Sequence, residues 1–187
     1  MYAEPTVTIL GERVALGPER AALLPTVGRW LNDFTLRRTQ GGAAVPYTAE
    51  ALAALYAEGG DGGRRALFII YRRADWRPLG FTAWQAIDPR NRTAEFVLGI
   101  GEADCRGQGY GTEVTRLMLD YAFTALGLHS VMLTVYATNP AGLRAYTKAG
   151  FREIGRRRQS HLQGGRLWDT VYMDCLAHDF LRGGTGR

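Results

Sequence analysis

Three strand-like segments follow one another along the chain, and they constrain the fold more than any other feature. They cover residues 66–72, 79–87 and 93–100. The turns between them, residues 75–78 and 88–91, carry Asp, Pro and Asn and are short enough for hairpins. We therefore expect these segments to pair antiparallel within a largely antiparallel sheet.

Helical and strand patterns on both sides of these hairpins complete one α+β domain. In chain order they are a strand pair (7–16), helices (18–34, 48–58, 112–126 and 140–149) and strands (130–136, 151–160 and 166–175). Glycines at 59–63 are expected to end the second helix. We expect a single domain over residues 1–180 and a disordered tail over 181–187.

The composition excludes several classes of protein. The 46% hydrophobic and 11% aromatic content is that of an ordered globular chain. The longest apolar stretches are strand-sized, far short of the roughly 20 residues of a membrane-spanning helix. Two cysteines and scattered histidines predict neither a disulfide framework nor a metal site. Because no export signal opens the chain, we expect a cytoplasmic protein. The formal charge of +5 fits an acidic partner: a nucleotide-like cofactor, RNA or an acidic protein.

A glycine-dense loop, residues 106–111, follows a strand pattern and opens a helical one. Glycines let backbone approach a ligand closely, and a helix N-terminus offers unpaired N–H groups, a combination suited to pyrophosphate. A Walker loop would need Gly-Lys-Ser/Thr, and the segment has no lysine. A dinucleotide fingerprint would need Gly-x-Gly-x-x-Gly within a parallel unit, whereas this loop reads Gly-x-Gly-x-Gly and follows strands that are joined by hairpins. A glycine-rich turn without a ligand stays an alternative for this loop alone.

Two motifs in a fixed order carry a resemblance to a known family. The loop reads Arg106-x-x-Gly109-x-Gly111, and residues 139–151 read Asn-Pro-Ala-Gly-Leu-Arg-Ala-Tyr-Thr-Lys-Ala-Gly-Phe. Together they resemble the Arg/Gln-x-x-Gly-x-Gly/Ala and Asn…Tyr-x-Lys-x-Gly-Phe signatures of the GNAT superfamily of N-acetyltransferases. The helix and strand expected between the two signatures are also present in the pattern.

Further stretches resemble the RimJ/RimL-type branch of that superfamily, and the resemblance covers about residues 6–180. The stretches are 30–33, 93–96, 155–158 and 165–169. The branch includes protein N-terminal, polyamine and antibiotic acetyltransferases. One departure is Glu102-Ala103, where the branch usually has Asp-Pro.

The resemblance implies a mixed, mostly antiparallel GNAT-like sheet flanked by helices, with a splayed strand pair that receives coenzyme A. The glycine loop would bind the pyrophosphate of acetyl-CoA through backbone N–H groups, and Arg106 would add charge. The strand end would pair with the pantetheine arm. The residues expected to bind the cofactor are Val97, Leu98, Ile100, Arg106, Gly107, Gln108, Gly109, Tyr110, Gly111, Thr112, Asn139 and Tyr146.

Two residues are candidates for acid–base catalysis. The motif places Tyr146 facing the sulfur of acetyl-CoA, where a phenol is a workable acid for the departing thiol, whose free pKa is about 8.5. The alternative is that Tyr146 is a core tyrosine that packs the helix. Glu95 matches the branch's acidic position and is expected to deprotonate the amine through water, or else to form a cross-strand ion pair with an arginine such as Arg92. An acetyl-cysteine on Cys105 is a further alternative to direct transfer, against a small, half-buried side chain.

The residues expected at the acceptor site combine carboxylates with aromatic walls. They are Trp30, Asp33, Trp84, Glu95, Trp168 and Asp169. This combination favours a cationic primary amine. We expect direct transfer in a ternary complex, with a protein N-terminal α-amine as the first choice.

Other functions stay open beside that first choice. One is acetylation of a small cationic amine, such as a polyamine or an antibiotic, and another is a non-catalytic acyl-CoA-binding module. The resemblance also implies a homodimer as a common arrangement. The arginines of 156–158 do not predict nucleic-acid binding, because no aromatic residues interleave them.

Overall fold

An eight-stranded sheet lies at the centre of the computed structural model, which describes residues 2–40, 45–57 and 64–183. The strands are β1 (Ile9–Leu10), β2 (Val14–Pro18), β3 (Ala66–Arg72), β4 (Pro78–Asp88), β5 (Thr93–Ile100), β6 (Ser130–Tyr136), β7 (Arg152–Gln163) and β8 (Arg166–Leu176). Their order in the sheet is β1-β2-β3-β4-β5-β6-β8-β7. Among the described strands β5 and β6 pair in parallel, and the other neighbours pair antiparallel. The predicted mixed, mostly antiparallel sheet is confirmed.

Helices cover both faces of this sheet. They are α1 (Leu24–Leu31), α2 (Phe34–Gln40), α3 (Ala49–Ala57), α4 (Tyr110–Asp120), α5 (Pro140–Ala149) and α6 (Ala177–Gly183). A π-helical turn at Tyr121–Ala125 continues α4, so the helical pattern predicted over 112–126 is found. α3 begins after Thr48, whose hydroxyl accepts the Ala51 N–H at 3.2 Å; Glu58 and the glycines of 59–63 lie outside the described residues.

The helix predicted over 18–34 is wrong in its extent, because the chain breaks into two helices there. The Asn32 N–H bonds to the Gly28 carbonyl as α1 ends. Asp33 then opens α2: its side chain accepts the Thr35 N–H at 2.8 Å. α6 was not predicted, and it includes residues 181–183 of the expected tail, while 184–187 lie outside the described residues.

Each face of the sheet has its own apolar core. The larger core packs α4 and α5 against the sheet and contains Leu16, Trp84, Phe96, Met118, Leu133 and Phe151. The smaller core packs α1 and α2 against the opposite face and contains Val27, Trp30, Leu36, Ile69 and Tyr71. Leu98 and Ile100, at the C-terminal end of β5, pack against the larger core.

The parallel strands β5 and β6 separate soon after they begin to pair. Their register joins Thr93–Glu95 to Ser130–Met132 and stops there, although β5 continues to Ile100 and β6 to Tyr136. The backbone of the second half of β5 is consequently not paired to β6. This is the splayed strand pair that the sequence resemblance implies.

Candidate functional site

A cleft of about 440 Å³ lies at the separated end of β5. Its walls are the end of β5, the glycine loop with the start of α4, one side of α5 and one side of α2. All the residues predicted to bind the cofactor line this cleft except Val97 and Gln108. The fold thus brings together most of a site whose two motifs are separated by a helix and a strand.

The glycine loop meets the cleft through backbone. Gly107 and Gly109 have φ values of +74° and +86°, a region that side chains with a Cβ rarely adopt. A Cβ built at Gly107 would meet no atom within 4 Å, so the space beside this backbone is open. The N–H groups of Thr112 and Glu113 both reach the Gly109 carbonyl, and no side chain caps the helix at Gly109. The residues present therefore fit a pyrophosphate at the start of α4.

Side chains behind the loop hold it in this shape. Arg13 donates to the Gln108 carbonyl at 2.9 Å, and its guanidinium lies over the Tyr110 ring, 4.4 Å from the centroid. The amide of Gln108 donates to the Asp104 carbonyl at 2.5 Å. Gln108 was predicted to bind the cofactor, but its side chain is used within the loop. Val97 is off the cleft wall as well, and its carbonyl accepts the Thr82 hydroxyl at 2.9 Å.

Arg106 lines the cleft, but its donors contact protein. Nε donates to the Ile100 carbonyl at 3.0 Å, and Nη2 donates to the Gly101 carbonyl at 2.9 Å. Nη2 also bonds to the Asp33 carboxylate at 2.9 Å. The guanidinium that was predicted to bind the pyrophosphate is therefore already paired with protein groups in this arrangement. Arg106 instead ties the end of β5 to the segment before α2.

Tyr146 and Asn139 lie on the α5 side of the cleft. Asn139 Oδ1 accepts the Gly142 N–H at 2.9 Å, which confirms its predicted capping of α5. The half-buried Tyr146 ring packs edge-on against Phe96, with centroids 6.1 Å apart. Burial raises the pKa of Tyr146 to about 12. The phenol is therefore a protonated hydrogen-bond donor at neutral pH.

Cys105 touches the cleft wall, but its environment does not favour a thiolate. The residue is 1% exposed, and burial raises the pKa of its thiol above the ordinary value. Reactive cysteines have lowered pKa values and accessible sulfur. This favours a small packing side chain over an acetyl-cysteine, although the side chain is fully buried and was predicted to be half-buried.

Glu95 projects from β5 on the face opposite the larger core. Its neighbour Phe96 is buried in that core, and side chains alternate along a strand. Glu95 accepts a hydrogen bond from Gln85 on β4 at 3.2 Å, whereas Arg92 donates to the Gly127 carbonyl at 2.7 Å. The alternative ion pair with Arg92 is therefore not formed, and Glu95 is not part of the cleft wall.

The aromatic walls predicted for the acceptor site are not found together. Trp30 and Trp84 are 1% and 0% exposed, in the two separate cores. Their indole N–H groups are bonded to the Glu102 carboxylate at 2.7 Å and the Met118 carbonyl at 3.1 Å. The prediction that Trp30 and Trp84 form walls of the acceptor site is therefore corrected, because both large rings are buried in the hydrophobic cores.

Trp168 and Asp169 stay on the β7–β8 hairpin and off the cleft wall. The Trp168 N–H donates to the Gln163 carbonyl at 3.3 Å, and Asp169 accepts the Gln159 N–H at 3.0 Å. These contacts stabilise the hairpin itself. Asp33, which was predicted for the acceptor site, hydrogen-bonds to two cleft residues, Arg106 and the backbone of Thr35.

Two sets of cleft residues were missed by the sequence reasoning. Thr35, Leu36 and Thr39 come from α2, which the pattern had merged with α1. Arg144 and Lys148 come from α5. A signal for the second set was available, because residues four apart on a predicted helix share one side.

No group of His, Cys, Asp and Glu side chains in the described part of the chain could hold a metal ion. None of the helices described is long and apolar enough to cross a membrane.

Residues 13–152 match the family described as the acetyltransferase (GNAT) domain. Spermidine N(1)-acetyltransferase of Vibrio cholerae is 33% identical over 103 residues, which are 55% of this chain and 59% of that protein. Human alpha/beta-tubulin-N-acetyltransferase 9 is 26% identical over 166 residues, 82% of this chain and 79% of that protein. The chain thus spans about three fifths of the bacterial relative and four fifths of the human one.

A solved structure shares the fold. The crystal structure of the Vibrio cholerae spermidine N-acetyltransferase in complex with CoA and spermine superposes with a TM-score of 0.83 at 23% identity. The match covers 90% of this chain and 98% of that one. The eight-stranded sheet and its helices are therefore an arrangement already seen in that family.

Proposed function

We propose, from the premise that this chain belongs to the acetyltransferase (GNAT) domain family, that it transfers the acetyl group of acetyl-CoA directly to a primary amine of a small cationic molecule. One observation carries the proposal: the open glycine backbone at the start of α4 and the phenol of Tyr146 lie on the same cleft, where β5 leaves β6. A pyrophosphate site and a proton donor within one cleft suit transfer from a thioester.

The chain's residues divide the work in the proposed reaction. Acetyl-CoA, when bound, supplies an activated acetyl thioester. The backbone N–H groups around Gly109 and Gly111 bind its pyrophosphate, and the cations of Arg144 and Lys148, on the same cleft, attract its phosphates. The unpaired edge of β5 at Leu98–Ile100 offers backbone groups to the pantetheine amides.

Tyr146 stabilises the sulfur as it leaves. With a pKa of about 12, the phenol stays protonated and donates a hydrogen bond to the developing thiolate. Complete proton transfer from this phenol is uphill, because a free thiol has a pKa of only about 8.5. Stabilisation by the hydrogen bond is therefore the main role we assign to it.

Glu95 is the base of the proposal and acts through water. It lies on β5, three residues before the first cleft residue of that strand, Leu98, and projects from the opposite face, so more than one water molecule must connect it to the amine. Its hydrogen-bond partner is the neutral amide of Gln85, so no arginine neutralises it in that contact. Asp33 is unsuited to the role, since the Arg106 guanidinium lowers the pKa of that carboxyl.

Polyamines are the acceptor class that we favour. The support comes from relatives: spermidine N(1)-acetyltransferases of Vibrio cholerae and Escherichia coli are 33% and 28% identical over their matched parts. This reverses the order expected from the sequence, which put a protein N-terminus first. A protein amine stays the second candidate, because the human tubulin acetyltransferase matches the larger share of this chain, 82%.

An acceptor panel tests the proposal. Purified full-length chain is incubated with acetyl-CoA and either spermidine, spermine, an aminoglycoside or peptides with free N-termini, and thiol release and acetylated product are measured. Turnover of spermidine or spermine is expected, at a higher kcat/KM than any peptide. Preference for a peptide would move the protein N-terminus back to first place.

Binding without turnover would give a different function. Stoichiometric CoA binding by calorimetry, with no acetylated product from any amine, would favour the non-catalytic acyl-CoA-binding module. The RimJ/RimL-type branch and the homodimer stay predictions; sedimentation of the full chain measures the second.

A further inference from the structure

Asp33 binds two structural elements through one carboxylate. Oδ1 accepts the N–H of Thr35, in the first turn of α2, at 2.8 Å, and the Asp33 backbone carbonyl accepts the Arg37 N–H at 2.9 Å. Oδ2 lies 2.9 Å from Nη2 of Arg106. The oxygen that caps α2 and the oxygen that binds the loop arginine are therefore different atoms of the same group.

Arg106 extends this connection to the sheet. The same guanidinium donates to the carbonyls of Ile100 and Gly101, at the point where β5 ends and the chain turns towards the glycine loop. Planar guanidinium donors are fixed relative to one another, so moving one partner strains the others. The start of α2, the end of β5 and the loop 106–111 meet at this side chain.

α2 contributes directly to the cleft. Thr35, Leu36 and Thr39 line it, and Leu36 is also 5% exposed within the smaller core. α2 has only seven residues, and a helix this short depends on contacts at its ends for its position. The contact available at its start is Asp33.

The cleft holds cations other than Arg106 that can meet phosphate groups. Arg144 and Lys148 lie four residues apart on α5, and both line the cleft. No described carboxylate lies within 4.0 Å of either cation. These cations suit phosphate groups, which leaves Arg106 for a different task.

We infer that Asp33 and Arg106 are a positioning pair that fixes α2 as a wall of the cleft and couples it to the glycine loop, so that CoA binding also orders the wall against which the amine is held. The role in holding the amine rests on the proposed function, in which the amine reacts within the cleft that Tyr146 and α2 both line. The coupling between loop and helix needs only CoA binding, and it can be measured without any acceptor.

Asp33→Asn separates the pair from the cap. Asparagine caps helices as well as aspartate does, so its oxygen can keep the Thr35 N–H. Its other terminal atom is an NH₂ donor, which faces the donors of Arg106 and cannot accept from them. The matched control is Asp179→Asn: Asp179 lies in the first turn of the seven-residue α6 and pairs with Arg152 at 3.2 Å, away from the cleft.

Hydrogen exchange measures the coupling in the full chain with and without CoA. In the wild type, CoA should slow exchange in residues 106–113 and also in 34–40. In Asp33→Asn, CoA should still protect 106–113, while its protection of 34–40 falls by at least about threefold. Asp179→Asn should match the wild type. Equal protection of 34–40 in Asp33→Asn, or no protection there in the wild type, would overturn the inference.

Steady-state kinetics then measure the effect on the amine. Asp33→Asn should raise the KM for the best amine about five- to tenfold and leave the KM for acetyl-CoA within about twofold. An equal rise in both constants would mean general damage and would contradict a positioning role for α2. If the wild type acetylates no amine, the proposed function fails, and the exchange experiment still decides whether the pair couples loop and helix.

Discussion

Glu102 is the carboxylate on which the side chains around the end of β5 converge, and replacing it by glutamine should measurably destabilise the fold. Its oxygens accept from Arg29 at 2.5 Å, from the Trp30 indole at 2.7 Å and from Arg77 at 2.6 Å. Its side chain is 10% exposed. Glu102→Gln keeps the size of the side chain but removes its charge and turns one of its two acceptors into an NH₂ donor. Arg29 and Trp30 share Oε1, so the amide oxygen can keep both of these bonds, and the NH₂ group then faces Arg77.

The expected loss can be worked out donor by donor. The buried Trp30 N–H keeps the amide oxygen as its acceptor, so it adds nothing to the loss. The Arg29 side chain is 60% exposed, so its ion pair adds at most about 1 kcal/mol. Arg77 loses its acceptor on Oε2 and faces an NH₂ group instead, which costs about 1–2 kcal/mol because its bonds to Asp104 stay in place. The free energy of unfolding should therefore fall by about 1–3 kcal/mol, a shift in the urea midpoint on the order of 1 M.

Urea titration of both proteins at pH 7 measures this difference. Asp104→Asn is the matched control: Asp104 shares Arg77, but its side chain is 61% exposed, so its loss should be much smaller. A Glu102→Gln midpoint equal to that of the wild type, or an equal loss in Asp104→Asn, would refute the reasoning.

The pH dependence gives the same prediction a second readout. The hydrogen bonds from Arg29, Trp30 and Arg77 outweigh burial and lower the pKa of Glu102 below its ordinary 4.5. A lowered pKa means that the stabilisation is complete above pH 4.5 and is lost as the pH falls through the folded-state value. The gap between wild type and Glu102→Gln should be constant from pH 6 to 8 and close at lower pH.

Three further predictions concern the cleft. Tyr146→Phe should lower kcat about a hundredfold and leave the KM for acetyl-CoA within about twofold, and an unchanged kcat in this variant would remove Tyr146 from the mechanism. In the wild type, kcat should show no loss from ionisation of the phenol below about pH 11. Gly107→Ala should weaken CoA binding, measured by calorimetry, about tenfold. The control is Gly127→Ala: Gly127 has a comparable φ of +64° but lies off the cleft wall, so this substitution should lower the stability of the fold and leave CoA binding unchanged. Arg144→Ala and Lys148→Ala should each weaken CoA binding by a factor that shrinks at high salt; a salt-independent loss would argue against phosphate contacts.

Local chemistry made several elements predictable. Asn139 and Pro140 mark the start of α5 whatever surrounds them, because capping and the fixed φ of proline act within one turn. The hairpins of 66–100 follow from short turns, which leave no length for a crossover. The break between α1 and α2 was missed for the converse reason: Asp33 within a helical pattern looks like any polar position until its carboxylate caps a new helix.

The sequence by itself determined the antiparallel hairpins of 66–100, the glycine loop and the helix that carries Tyr146, because each depends on residues near one another in the chain. Only the tertiary structure decided which way long side chains point. Arg106 looked like a phosphate ligand, and it binds Asp33, 73 residues away. Trp30 looked like a pocket wall, and it is buried with its N–H on Glu102, 72 residues away. Such partners are chosen by packing across the sheet, and no local pattern records them.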